Sequence, residues 1–143
     1  MLTRNFRQGR IIFARLDHGE DIIRQFTILA EENGIETGAL SAIGALSSAI
    51  LACYDQSSHE YGKIALNEPV EMASCSGNIS LKDGRPFVHA HAVLSEKTAR
   101  TWGGHLISGT IFAGEVYIQE LSGSLPLKRV ADSVTGLYLW GNE

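Results

Sequence analysis

The sequence predicts an α+β fold: a mostly antiparallel β-sheet with one early amphipathic helix. Two observations carry this. Only residues 17–34 place apolar side chains at helical spacing, and the rest of the chain is a series of stretches rich in apolar and β-favouring residues, bounded by turn residues that include many of its 15 glycines. At 143 residues, 44% hydrophobic and 20% charged, the chain reads as a single domain over 1–143, long enough to bury a sizeable core.

The elements follow in order. "RIIFARL" (10–16) reads as the first strand. In "DHGEDIIRQFTILAEENG", Asp17 is the expected N-cap, with Glu20 at capping-box spacing. Ile22, Ile23, Phe26, Leu29 and Ala30 form the apolar stripe, and Gly34 supplies the stop. Residues 37–55 read as two strands hinged near Gly44. Strands over 71–81 and 86–94 flank "KDGR", so Asp83-Gly84 is the expected turn of a hairpin. Further strands are expected over 108–121 and 133–140.

Charge and composition exclude several classes. A net charge of −4 and a pI near 5.7 disfavour binding nucleic acid by surface charge alone, because that affinity comes mostly from Lys and Arg neutralising phosphates. The small basic cluster Arg4, Arg7 and Arg10 reads as an exposed N-terminal edge. No apolar run reaches the roughly 20 residues of a membrane-spanning helix, the start lacks the pattern of a secretory leader, and a cytoplasmic address is expected. Cys53 and Cys75 are too far apart for a CxxC motif and read as buried strand residues.

Chemistry concentrates in "GRPFVHAHAVLSEKTARTWGGHL" (84–106), which holds three of the five histidines. On a strand, residues two apart share a face with Cα atoms about 6.6 Å apart, so His89 and His91 can present both imidazoles to one point. His105 follows Gly103-Gly104, whose flexible backbone could turn a third imidazole toward the pair. Three neutral imidazoles with a fourth position open is a catalytic zinc arrangement, and imidazole also suits iron, nickel and copper. Histidines on a solvated strand face equally need no metal, so spacing alone leaves both readings open; the concentration of three within 89–105 favours a site. His18 and His59, in polar loop contexts, read as surface residues.

The pattern "GRPFVHAHAVLS…GGHLISGTIFAGEVYI" resembles the PPC domain (plants and prokaryotes conserved domain), whose stand-alone bacterial members are described as DNA-binding proteins with a PD1-like motif. "FARLDHGEDI", "GIETGALSAIGALSSAILACYD" and "RVADSVTGLYLW" extend the resemblance over nearly the whole chain, and HxH followed by GGHL is its most specific part. The resemblance implies an α+β domain assembling as a homotrimer, with His89, His91 and His105 as metal ligands. Plant relatives pair the domain with AT-hooks, short R-G-R-P segments; here "DGRP" (83–86) has Asp at the first position and lies in the expected hairpin.

Two functions follow as expectations. One is a trimeric, metal-binding assembly module, zinc in first place, with a DNA-associated or regulatory role. The other is a small metal-dependent enzyme that uses the three histidines to activate water on a small-molecule substrate. Glu115, Glu36 and Arg85 are the acid/base or charge partners such an enzyme could draw on. Trp102 and Trp140 read as core or subunit-contact residues, and Arg129 with Asp132 as an ion pair.

Overall fold

Side chains that alternate between core and solvent build a six-stranded sheet from β1 (Arg7–Arg15), β2 (Gly38–Asp55), β3 (Glu60–Leu66), β4 (Val70–Lys82), β5 (Arg85–Ser95) and β6 (Thr101–Ser122). One helix, α1 (Ile22–Glu32), and a two-stranded ribbon of β7 (Arg129–Ala131) and β8 (Tyr138–Trp140) complete the elements. The structure is a computed structural model and describes residues 1–141.

The strand order is β1-β6-β5-β4-β2-β3, every neighbour antiparallel. Because β2 also pairs with β6 from Gly38↔Glu120 to Ala52↔His105, strands β2, β4, β5 and β6 close on themselves. The inside of this ring is the core. Val88, Ala90, Ala92 and Leu94 of β5 point into it, as do Leu106, Ile111, Val116 and Ile118 of β6. Helix α1 packs on β5 and β6 and adds Ile22, Phe26 and Ala30, each with no exposed surface.

The α+β class is as expected; several local features are not. The N-cap is Asp21 rather than Asp17. Gly19 takes a left-handed turn at φ +83 between the two, and Asp21, in extended backbone, accepts the Arg24 N–H on Oδ1 at 2.9 Å. Its Oδ2 accepts the Gly109 N–H at 3.0 Å, so one carboxylate caps the helix and fastens it to β6. Replacing Asp21 by alanine is expected to cost about 1–2 kcal/mol, read by urea unfolding, since both backbone N–H groups lose their acceptor.

The expected pair of strands over 37–55 is one strand. Gly44, at φ +149 with the Ala113 carbonyl where a side chain would stand, forms a bulge that bends β2 without ending it, and the register to β4 shifts there. Asp83 and Gly84 both have positive φ, 53° and 76°, as a two-residue hairpin turn of the primed kind requires. Strand β3 was not foreseen, and the last strand is shorter than expected, 138–140, and pairs with β7. Cys75 is buried, which pushes its thiol up to about 11, but Cys53 faces outward opposite Gly62, which has no side chain to cover it. Among the described residues no helix is long and apolar enough to cross a membrane.

Candidate metal centre

Two adjacent strands, β5 and β6, present His89, His91 and His105 together on the outer face of the ring. Inward Val88, Ala90 and Ala92 force His89 and His91 outward on β5. His105 is not swung in by a turn: Gly103 and Gly104 lie within β6, opposite Val93 and Ala92, and His105 is the direct cross-strand partner of His91. Directly opposed residues of an antiparallel pair share a face, so strand register alone unites them. Gly104 is required for another reason, since a Cβ there would stand 2.7 Å from the Ala52 carbonyl oxygen of β2.

The ring centres are 5.1 Å apart for His89–His91, 5.0 Å for His89–His105 and 5.5 Å for His91–His105. One ligand nitrogen from each lies within 4.8 Å of the others, so the cluster could hold a metal ion. Two properties fit such an ion. His105 Nδ1 is buried without a hydrogen-bond partner, a costly state for a nitrogen that can accept or ligate. And the site favours neutral imidazole, the ligating form. Burial, then the charge of Arg129, then the other two histidines hold His89 down to about 4; burial, His91 and Arg129 lower His105.

This has a consequence for the metal-free protein. Between the ordinary 6.5 and about 4, His89 is neutral when folded and protonated when unfolded, so the unfolded state binds the extra proton. Stability is expected to fall as pH drops through that window and to fall less in a His89→Gln variant, both read by denaturant titration at stepped pH.

Beside the cluster lies a pocket of about 360 Å³, lined by Tyr61, Phe87, Tyr138, Lys82 and Arg129 together with His89 and His105. The Tyr61 ring also lies against His105, tilted by 35° with ring centres 5.6 Å apart. Arg129 does not pair with Asp132, whose carboxylate is taken by the Thr135 N–H and hydroxyl. Its guanidinium instead donates to Ser80 Oγ, Asn78 Oδ1 and the Tyr138 carbonyl, each at 2.9 Å. Glu115, Glu36 and Arg85 do not line this pocket, and Arg85 pairs with Glu31 at 2.9 Å. His18 and His59 are exposed; Trp102 packs against the core, whereas Trp140 is 42% exposed. Sequence reasoning missed Arg129, Lys82, Phe87 and Tyr61 at this site. The one available signal was Lys82 and Phe87, which bracket the hairpin leading into HxH.

Residues 3–122 match the profile of the Plants and Prokaryotes Conserved (PCC) domain. The chain belongs to the PCC domain family. Among solved structures it is similar to a metal-containing protein from Archaeoglobus fulgidus, with 44% identity, 99% of this chain and 100% of the other covered, and a TM-score of 0.95. A plant- and prokaryote-conserved (PPC) protein from Pyrococcus horikoshii is 36% identical, covering 100% and 99% at a TM-score of 0.93. A protein from Ralstonia eutropha described as a candidate DNA-binding protein is 27% identical, covering 92% and 90% at 0.80. A bifunctional protein GlmU from Synechococcus is 33% identical over 125 residues; these cover 85% of this PCC chain but only 18% of that protein.

Proposed function

We propose that this PCC chain is a metal-binding assembly module: a homotrimer in which His89, His91 and His105 of each chain hold one transition-metal ion, with a DNA-associated or regulatory task. Zinc is the first choice, because three imidazoles with an open position suit it, and iron or nickel are the alternatives. The observation that carries the reading is the convergence of three imidazoles within 4.8 Å around a buried, unpartnered His105 Nδ1. The Archaeoglobus protein described as metal-containing supports it. For assembly, the outer face of β1 and β2 leaves Phe13 77% and Ile43 56% exposed, apolar surface of the kind subunit contacts cover. The DNA-associated part rests on the relative described as a candidate DNA-binding protein; against it stand the −4 charge and the Asp83 departure from an AT-hook.

Untagged protein purified without added metal is expected to show a trimer by mass under non-denaturing conditions and about one ion per chain by elemental analysis. A monomer that also fails to take up added zinc overturns the reading. Failure to shift duplex DNA at low salt removes its DNA-associated part.

A second reading, a metal-dependent enzyme acting on a small molecule, is favoured by the pocket that opens onto His89 and His105. The ion would supply Lewis acidity there, while Arg129 and the aromatic walls would orient the substrate. A screen of zinc-loaded protein against esters, phosphoesters, lactones and amides, with His91→Ala as the control, decides between turnover and none.

A further inference from the structure

We infer that the pocket beside the three histidines is a seat for a small organic carboxylate, its anionic group on Arg129 and Lys82 and its body against Phe87, Tyr61 and Tyr138. As the substrate class of the proposed metal centre, this rests on that reading; as a binding site it is built by other residues.

The argument begins with unanswered charge. Arg129 is half-buried, and its three hydrogen bonds go to neutral acceptors, one of them the hydroxyl of fully buried Ser80. A guanidinium has five N–H groups; with Nε and one from each terminal nitrogen engaged, each terminal nitrogen keeps one, which suits an anion with two oxygens. Salt bridges among the described residues engage Arg10, Arg24 and Arg85, and neither Arg129 nor Lys82. Among the described residues no carboxylate lines the pocket. A partly desolvated cation without a counter-charge is costly, and here its neighbours are imidazoles that a metal would make more positive still.

The walls identify the rest of the ligand. The Arg129 guanidinium lies 5.1 Å from the Phe87 ring centre, and Lys82 Nζ lies 3.7 Å from that of Tyr138 and 5.6 Å from that of Phe87. Cations held against aromatic faces leave a surface that is positive at one end and apolar along its length. A bare phosphate would use only the first half of it. A carboxylate on an apolar or planar body uses both, and would bring the atoms next to its carboxylate over His89 and His105.

The experiment is calorimetric titration of the full chain, metal-free and zinc-loaded, with benzoate, benzamide and inorganic phosphate. Benzoate is expected to bind both forms, with benzamide and phosphate each about tenfold weaker or more, and Arg129→Gln and Lys82→Gln each weakening benzoate by about tenfold. Lys82→Gln keeps the test decisive if Arg129→Gln fails to fold. Benzoate binding to metal-free protein, or to protein that never takes up zinc, supports the seat even where the metal reading fails. No benzoate binding in either form, affinity unchanged in a folded variant, or phosphate binding more tightly than benzoate overturns it.

Discussion

His89→Ala is expected to lower the metal content of the protein from about one ion per chain to near none while the fold survives. The expectation follows from position. His89 is flanked by buried Val88 and Ala90, but its own ring points out of the ring of strands, so its removal leaves the core intact. It stands 5.1 Å from His91 and 5.0 Å from His105, and without it only the cross-strand pair is left. Two imidazoles hold zinc far more weakly than three. Elemental analysis beside circular dichroism reads both halves of the prediction, and a variant that keeps its metal removes His89 from the proposed ligand set.

Phe26→Ala is expected to destabilise the chain by about 3–5 kcal/mol, the range for deleting a fully buried aromatic ring, and to lower the unfolding temperature by roughly 10 °C or more. Phe26 is wholly buried in α1, between the helix and the inner surfaces of β5 and β6. These two strands carry all three histidines on their outer surfaces. The cavity would therefore lie behind the candidate site, and the same variant is expected to weaken zinc uptake without touching a ligand. Urea unfolding with and without zinc measures both effects.

Local pattern reaches some of this from sequence and stops at identifiable points. The helix, the Asp83-Gly84 hairpin and the shared face of His89 and His91 all depend on residues a few positions apart, where spacing is informative. The helix cap was misplaced by four residues because Asp17 and Asp21 both precede the apolar stripe; the bonds Asp21 accepts from the Arg24 and Gly109 N–H groups distinguish them. Strand β3 escaped because six of its seven residues are exposed, so no alternation marks it. His105 was legible as a residue but not as the cross-strand partner of His91, because the glycines before it read as a turn when they are in fact a ladder. Arg129 was invisible for the same reason at greater range: its partners Asn78 and Ser80 lie about fifty residues away, and Asp132 offered a nearer, wrong one. The family resemblance reaches the fold more directly than local pattern because it spans most of the chain, residues 3–122, at once.

The pairing of His91 with His105 also determines where the chain can change length. Residues 96–100, between β5 and β6, can gain or lose a residue at the turn while the ladder from Ser95↔Thr101 to His91↔His105 stays in step. A single residue inserted between Thr101 and His105 would instead turn His105 inward and Leu106 outward, exchanging a proposed ligand for a core side chain in one event. Relatives of this chain should therefore vary in length at the tip of this hairpin and not along its stem.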